Sequence, residues 1–249
     1  MQSAIVIPAR YGSTRFPGKP LAKLAGQPII AHVLEKAHAA GAEQVVVATD
    51  DTRIQQVVEE YGGVATMTPP DLPSGTARVA AAVEQLTEKP DIIINVQGDE
   101  PFVSPLTIRQ LLQFMRQPRV TIGTLQTPIT TPDWLEDPNK VKVVTNQRQE
   151  ALYFSRSPIP HIRGTHKEDW VSHYPFHLHV GMYGFTAAIL QELMALPPSR
   201  LAAMESLEQL QWLDHGYRIH VATTEHTSFG IDTPADLATA EAWLQKKAR

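Results

Sequence analysis

The sequence predicts an α/β fold, with a mostly parallel sheet, helices on both of its faces and an antiparallel insertion. Short, continuously apolar runs recur along the first half of the chain, and segments with apolar residues at helical spacing follow them. Strands that are covered on both faces read as such continuous apolar runs. From about residue 120 the apolar runs follow one another without helical segments between them, which predicts antiparallel pairing.

The elements of the first half follow from this alternation. Apolar runs predict strands at 4–9, 43–50, 64–67 and 91–98. Helical spacing predicts helices at 28–41, 51–63, 75–86 and 104–117. In parallel sheets ligands bind beyond the carboxyl ends of the strands. The loops after Ile7, Asp50, Met67 and Val96 are therefore the candidate binding loops.

The chain is predicted to form a single domain that spans 1–249, with an inserted antiparallel segment that begins at about residue 120. Strands are expected at 120–129, 140–146, 151–156 and 179–186, with long loops over 157–178. We expect this insertion, over 120–185, to close over the sheet or to pair with another subunit. Helices then return at 187–196 and 203–215, before a strand at 218–224. In the last helix Thr233 is the expected N-cap, Pro234 the first helical residue and Asp236 the partner in a capping box.

Composition limits the function classes. The 249 residues are 43% apolar and include no cysteine, which excludes disulfides and thiolate metal sites. No stretch approaches the ~18 apolar residues of a membrane span, and no charged segment followed by an apolar core opens the sequence. The net charge is -4, and no basic helix is evident. We therefore expect a soluble, cytoplasmic protein that does not bind nucleic acid.

The first candidate loop is strongly cationic. "IPARYGSTRFPGK" (7–19) contains Arg10, Arg15 and Lys19, and no acidic residue precedes Glu35. Backbone N–H groups and fixed cations suit phosphate oxygens. The Walker A pattern fails, because five residues rather than four separate the two glycines and proline follows the lysine. The dinucleotide fingerprint is missing, which counts against a nicotinamide oxidoreductase. A solvated basic loop is the structural alternative.

Several motifs occur in a familiar order: "IPARYGSTRFPGKPL", "ATDD", "SGTAR", "NVQGDEP", "ALYFSR" and "IDTPADL". In this the chain resembles the 3-deoxy-manno-octulosonate (Kdo) cytidylyltransferase family over residues 5–237. The resemblance implies a nucleotide-diphospho-sugar transferase-like (Rossmann-like) fold and transfer of CMP from CTP to Kdo, with release of diphosphate. It also implies a role in lipopolysaccharide core biosynthesis, a homodimer formed through 120–185, and Mg²⁺ as cofactor.

The resemblance assigns most of the nucleotide site to the loops after the strands. Arg10, Arg15 and Lys19 would stabilise the charge that builds up on the leaving diphosphate. Ser74, Gly75 and Arg78 open a helix, where anions are favoured; for Ser74 an ordinary helix cap is the structural alternative. The implied nucleotide-binding residues are Pro8, Ala9, Arg10, Arg15, Lys19, Ser74, Gly75, Arg78 and Gln97.

Two aspartates are the implied metal ligands. Asp99 follows the most apolar strand, and one or two carboxylates together with phosphates are typical of Mg²⁺ sites. The family match makes Asp232 the second ligand, although an aspartate before Thr-Pro is also typical of a helix cap. The implied catalytic residues are Lys19, Arg10, Asp99 and Asp232. The sequence shows no dedicated base for the attacking hydroxyl.

The resemblance also assigns a site for the acidic sugar, formed by Arg156, His179, Tyr183, Glu208 and Gln209. His179 and Tyr183 are four residues apart, on the same face of a predicted strand. The chain departs from the family pattern at Ala77, where an acidic residue is usual, and at Thr186, where an arginine is usual.

Other interpretations remain open. His173, His177 and His179 suggest a zinc site, but no third ligand at the usual spacing stands out beside the two histidines that share a strand face, so hydrogen-bonded imidazoles fit better. A related acidic sugar such as 8-amino-Kdo is an alternative acceptor. A non-catalytic nucleotide-sugar binding protein is an alternative from another class, and the two retained aspartates count against it.

Overall fold

The structure, a computed structural model, describes residues 1–226 and 229–247. Its strands, in chain order, are β1 (Ser3–Ala9), β2 (Lys23–Leu24), β3 (Gln27–Pro28), β4 (Gln44–Thr49), β5 (Val64–Met67), β6 (Ile92–Asn95), β7 (Ile122–Pro128), β8 (Lys142–Thr145), β9 (Ala151–Ser155), β10 (His177–Thr186) and β11 (His220–Thr223). Its α-helices are α1 (Ile29–Ala40), α2 (Thr52–Glu60), α3 (Gly75–Gln85), α4 (Pro105–Met115), α5 (Pro132–Glu136), α6 (Trp170–His173), α7 (Ala187–Met194), α8 (Arg200–Glu205), α9 (Gln209–Asp214) and α10 (Pro234–Lys247).

The chain divides into two compact units. The first unit comprises Met1–Leu112 and the described residues of Ser228–Arg249, and the second comprises the described residues of Gln113–Thr227. The expected single domain with an insertion over 120–185 stays a prediction. Within the described ranges, none of the helices combines the length and the apolar character of a membrane span.

The first unit contains the predicted parallel strands, in the order β6, β1, β4 and β5. Ile5 of β1 lies opposite Val45 of β4 on one side and Ile94 of β6 on the other. The apolar runs 4–7 and 92–94 have no exposed surface at all. The continuous apolar runs are therefore explained by burial on both faces, and the predicted α/β fold is confirmed.

The last helix packs within this first unit and begins as predicted. Thr233 Oγ1 accepts the Asp236 N–H at 3.2 Å, and Asp236 Oδ2 accepts the Thr233 N–H at 2.8 Å, which is the reciprocal pair of a capping box. Pro234 is the first helical residue. Buried side chains from β2, α1, α10 and the loop before α10 pack together and hold the helix: Leu24, Ile29, Ile231 and Ala240.

The second unit contains the predicted antiparallel strands. β7 pairs antiparallel with β10 and parallel with β11, while β10, β8 and β9 form antiparallel pairs. The expectation that no helices separate these strands was wrong in detail, because the short helices α5 and α6 lie between them. Both contribute to a small apolar cluster, in which Leu135 and Trp170 pack with Phe176 and Ile129. That tertiary packing stabilises helices too short to show a period in the sequence.

The single helix predicted at 203–215 is also wrong. Two helices occupy this stretch, α8 and α9, and Ser206 separates them in a left-handed conformation at φ +51°. The N–H groups of Ser206 and Leu207 both donate to the Ala202 carbonyl. Glycine is the usual residue at such a helix end, so a serine gave no signal in the sequence.

Candidate active site

A cleft of about 310 Å³ opens in the first unit beyond the carboxyl ends of β1 and β6. Four cations and two carboxylates line it, which gives a formal surplus of two positive charges. The lining residues are Pro8, Ala9, Arg10, Ser13, Thr14, Arg15, Lys19, Pro20, Leu72, Pro73, Ser74, Gly75, Arg78, Gln97, Gly98, Asp99 and Asp232. The structure thus places all the nucleotide-binding, catalytic and metal-binding residues predicted from the sequence around one cavity.

The cationic loop folds back on Tyr11. The Tyr11 carbonyl accepts the N–H groups of Ser13 and Gly18, each at 3.0 Å. Gly18 has φ +70°, and a Cβ there would lie 3.1 Å from the Tyr11 ring. Glycine therefore suits this position both because it tolerates the left-handed backbone and because it leaves room for the ring. Lys19 follows at once and begins a short 3₁₀ turn that directs the loop back toward α1.

The ends of β1 and β6 approach each other very closely at Gly98. A Cβ at Gly98 would lie only 2.7 Å from the Pro8 carbonyl oxygen. Such a contact is shorter than a carbon and an oxygen tolerate, so a side chain at residue 98 would push the two strand ends apart. The glycine of "NVQGDEP" therefore sets the width of the cleft between Pro8 and Asp99.

Four of the six charged side chains of the cleft form one connected ion cluster. Lys19 Nζ donates to Asp99 Oδ2 at 2.5 Å and to Asp232 Oδ1 at 3.1 Å. Arg15 also reaches Asp232 Oδ1, at 3.1 Å. Only 11% of the Lys19 side chain is exposed, against 48% for Asp232. Two carboxylates that lie 133 residues apart in the sequence are thus brought around a single ammonium group.

This donor set fits a hard divalent cation. Mg²⁺ is bound in nucleotide sites by one or two carboxylates, while phosphates and water complete its coordination. Asp99 and Asp232 supply such a pair, and both face the cavity. In the described ranges no group of three or more histidine, cysteine, aspartate or glutamate side chains is arranged to hold a metal ion. Any cation bound by this pair would therefore complete its coordination with water or with phosphate oxygens of the nucleotide.

The start of α3 forms another wall of the cleft. Ser74 Oγ accepts the Ala77 N–H at 3.1 Å, which confirms that Ser74 caps the helix. Arg78, one turn further on, is buried and donates to Thr68 Oγ1 at 2.5 Å and to Asp50 Oδ2 at 3.3 Å. Burial lowers the pKa of the Arg78 guanidinium, and the charge of Asp50 opposes that effect. Gly75, between the cap and Arg78, faces Pro8 and Gln97 without a side chain.

Two of the predicted sugar-site residues are neighbours in the second unit. The rings of His179 and Tyr183 are 5.2 Å apart, so both lie on one side of β10. β10 bulges between Val180 and Tyr183, and because the bulge adds two residues the alternation of faces is preserved. His179 Nε2 is 3.0 Å from Thr124 Oγ1, and burial lowers the pKa of His179 to about 3. The imidazole is therefore neutral at ordinary pH.

Tyr183 lies deeper in the second unit than its neighbour. It is 6% exposed and packs edge-on against Trp212. Its hydroxyl oxygen is buried without a hydrogen-bond partner among the described residues. Burial, reinforced by the negative charge of Glu208, raises its pKa well above the ordinary value. The phenol is thus a protonated donor.

The other three predicted sugar residues lie near α8 and α9. The Arg156 guanidinium donates to the carbonyls of Glu205 at 2.7 Å, Pro138 at 2.9 Å and Ser206 at 3.3 Å. Glu208 directly precedes α9, and Gln209, which is buried, is the first residue of that helix. In this structure Arg156 therefore holds backbone carbonyls rather than pointing all its donors at a ligand.

The three histidines considered for zinc do not share an environment. His173 is exposed at the end of α6, where its Nδ1 lies 2.9 Å from the Asp169 carbonyl. His177 and His179 are partly buried in β10, and burial lowers the pKa of both. Each of the three imidazoles thus lies in a local environment of its own.

Some residues at or near the cleft were missed by the sequence reasoning. Four lining residues lie within or beside the quoted motifs, but their side chains carry no charge that would have marked them as binding residues: Ser13, Thr14, Leu72 and Pro73. Asp50 was also missed as the partner of Arg78. Asp50 could have been identified from the sequence, because "ATDD" places two carboxylates at the carboxyl end of a parallel strand.

Comparison with known proteins agrees with this geometry. A family model described as "Cytidylyltransferase" matches residues 4–219. A protein from Anaeromyxobacter sp. named 3-deoxy-manno-octulosonate cytidylyltransferase is 52% identical, over 97% of this chain and 96% of its own. A protein of the same name from Thermodesulfovibrio yellowstonii is 48% identical, over 98% of each chain.

Solved structures extend the comparison. A CMP:2-keto-3-deoxy-manno-octonic acid synthetase complexed with CTP is 42% identical, with a TM-score of 0.91 over 99% of this chain and all of that one. A 4-diphosphocytidyl-2C-methyl-D-erythritol synthase from Anaerococcus prevotii has a TM-score of 0.63 at 15% identity, over 98% of this chain and 96% of that one. The second likeness concerns the fold alone.

Proposed function

The chain belongs to the cytidylyltransferase family, and we propose that it transfers CMP from CTP to Kdo and releases diphosphate. The observation that carries the proposal is the cleft of the first unit, where Arg10, Arg15 and Lys19 converge with Asp99 and Asp232. A triphosphate supplies the negative charge that this surplus of cations requires.

The reaction is a substitution at the α-phosphorus. The anomeric hydroxyl oxygen of the sugar forms a bond to that phosphorus, the bond to the bridging oxygen of the β-phosphate breaks, and its electron pair leaves with diphosphate. The hydroxyl proton passes to solvent. Charge grows on the leaving group, and fixed cations stabilise it without having to reorganise. We assign this role to Arg10, Arg15 and Lys19, with Arg78 and the N–H groups at the start of α3 holding the nucleotide together with Pro8, Ala9, Ser74, Gly75 and Gln97.

We further propose Mg²⁺ as the cofactor, held by Asp99 and Asp232. Both carboxylates face the cavity and converge on one cation, Lys19. When bound, Mg²⁺ would neutralise phosphate oxygens and orient the α-phosphate.

The acceptor is proposed to bind through Arg156, His179, Tyr183, Glu208 and Gln209 of the second unit. A neutral imidazole and a protonated phenol suit sugar hydroxyls, which both donate and accept hydrogen bonds. The guanidinium N–H groups of Arg156 that do not bind backbone carbonyls would donate to the sugar carboxylate. The resemblance also supports a cytoplasmic homodimer and a product used in lipopolysaccharide core synthesis.

A diphosphate-release assay tests the activity. With CTP, Kdo and Mg²⁺ we expect release of one diphosphate for each CMP-sugar formed. Release of diphosphate with 8-amino-Kdo but not with Kdo would show that the related sugar is the acceptor. Binding of CTP with no release for either sugar would favour a binding protein.

Variants of the two aspartates test the site. Asp99→Ala and Asp232→Ala should each abolish measurable turnover, because either change removes half of the carboxylate pair. Asp91→Ala, at a surface carboxylate with 57% exposure, is the matched control and should retain full activity. Near-normal turnover by either cleft variant, with the fold verified by circular dichroism, would contradict the metal assignment.

A further inference from the structure

We propose that Asp50, assisted by Asp51, is a positioning residue that holds the cationic loop and Arg78 in the arrangement that binds the triphosphate of CTP. The inference rests on the proposed function and deepens it. It concerns the motif "ATDD", for which the reaction described above has no use. Neither aspartate lines the cleft within the described structure, so both would act through other side chains.

One carboxylate joins two walls of the cleft. Asp50 directly follows β4, the neighbour of β1 in the sheet. Its Oδ1 accepts the N–H of Tyr11, in the cationic loop, at 3.1 Å. Its Oδ2 lies 3.3 Å from the Arg78 guanidinium on α3. Asp50 thereby fixes the distance between the loop and the helix start.

The negative charge of Asp50 matters because Arg78 is buried. Their side chains are 11% and 3% exposed, so water screens this pair weakly. Thr68 gives Arg78 a second contact but no charge, and the Thr68 hydroxyl itself donates to the Thr49 carbonyl. Removing the carboxylate would leave a buried cation without this counter-ion, and breaking such a pair is strongly unfavourable. We therefore expect Arg78 to leave the position that suits the triphosphate when Asp50 is neutralised.

Asp51 supports the same loop indirectly, through Arg53 and the ring of Tyr11. It accepts the backbone N–H of Arg53 and holds the Arg53 guanidinium through two further contacts, at 2.9 and 2.6 Å. The guanidinium carbon of Arg53 lies 3.6 Å from the centre of the Tyr11 ring, a cation–π arrangement. Tyr11 in turn packs on Gly18, next to Lys19. The pair of aspartates therefore fixes both the backbone and the ring of Tyr11.

The test compares CTP binding with turnover in Asp50→Asn, which keeps the size of the side chain and an acceptor oxygen for the Tyr11 N–H. We expect Kd for CTP, measured by calorimetry, and KM for CTP to rise about tenfold together. kcat and KM for Kdo should stay within about twofold. In an Arg78→Met background, Asp50→Asn should add less than about twofold, because its effect passes through Arg78.

Glu43→Gln is the matched control. Glu43 precedes the same strand β4 at its other end and accepts the Ser3 N–H at 2.9 Å. A loss confined to folding should appear in both variants as lower thermal stability, whereas only Asp50→Asn should weaken CTP. Equal CTP affinity in Asp50→Asn and the wild type would overturn the inference. Failure of the wild type to bind CTP would instead refute the proposed function.

Arg53→Gln provides a second test of the positioning role if Asp50→Asn does not fold. The Arg53 side chain is 56% exposed, so its replacement leaves the core intact. We expect Kd for CTP to rise about threefold as the ring of Tyr11 loses its cation. An unchanged Kd in this variant would count against the positioning role.

Discussion

A single ammonium group stands between the two carboxylates proposed to hold the metal ion. Lys19 Nζ contacts both Asp99 and Asp232, and Arg15 contacts Asp232 as well. These cations neutralise the oxygens that a divalent ion needs. If Mg²⁺ binds these carboxylates as proposed, it would compete with Lys19 for them until a triphosphate offers the lysine other anions. It follows that the cation and the nucleotide should bind together rather than independently.

Replacing this lysine should separate its two effects. Lys19→Met removes the competing charge, so Mg²⁺ should bind the nucleotide-free protein about tenfold more tightly, as measured by calorimetry. Turnover should fall by about 100-fold or more, because the leaving diphosphate loses a fixed cation. Lys36→Met, at a lysine that pairs with its neighbour Glu35 at 3.1 Å, serves as the control. Unchanged Mg²⁺ affinity in Lys19→Met would show that the lysine does not compete.

His179 gives a pH dependence with a definite sign. Burial lowers its folded-state pKa to about 3, below the ordinary histidine value of about 6.5. Between these two values the unfolded chain binds more protons than the native one, so stability falls as the pH drops from about 6.5 toward 3. One such group contributes a loss of about 2 kcal/mol between pH 6.5 and pH 5.

Chemical denaturation of His179→Gln measures that contribution. The variant should lose less stability between pH 7.5 and pH 5 than the wild type, because glutamine does not titrate. Comparison of the two proteins is needed, since burial also lowers the pKa of His177 and His220. Identical pH profiles for both proteins would mean that His179 is protonated in the folded state at pH 5.

At the level of secondary structure, the shape of the cleft depends on the short distance between the ends of β1 and β6. Gly98→Ala would place a Cβ 2.7 Å from the Pro8 carbonyl. We expect a loss of about 1–3 kcal/mol in unfolding free energy and weaker CTP binding, because the strand ends must move apart. Gly12→Ala is the control, since no described atom beyond the adjacent residues lies within 4 Å of a Cβ there. Equal stability of the two variants would refute a structural role for this close approach.

The elements that sequence reasoning predicted well are those set by local chemistry. The buried runs of β1 and β6, the Gly41 stop after α1 and the capping box of α10 each carry their own signal. The elements it missed depend on distant packing. α5 and α6 form on an apolar cluster, and the break at Ser206 lies where no glycine marks it. In these cases tertiary contacts override a weak or absent local pattern.

For the molecule as a whole, residues that line the cleft could be predicted from the sequence, but their contacts could not. The rule for parallel sheets and the family motifs placed Lys19, Asp99 and Asp232 around one ligand, and the cleft contains all three. That Lys19 bridges both aspartates depends on a pairing across 213 residues, which no local spacing encodes. The partnership of Asp50 with Arg78 is likewise a product of the fold.

The overall charge opposes the proposed substrate while the cleft attracts it. The chain carries a net charge of -4, yet the cleft has a surplus of two positive charges. At an ionic strength of 0.1 M the Debye length is about 10 Å, so a triphosphate in the cleft interacts mainly with the local cations. This predicts that CTP binding weakens steadily as salt rises from about 0.05 to 0.5 M, by roughly tenfold in Kd. Cytidine, which has no phosphate, is the internal control in the same calorimetric titration, and its Kd should hardly change. A CTP affinity as insensitive to salt as that of cytidine would mean that the cations of the cleft do not hold the phosphates.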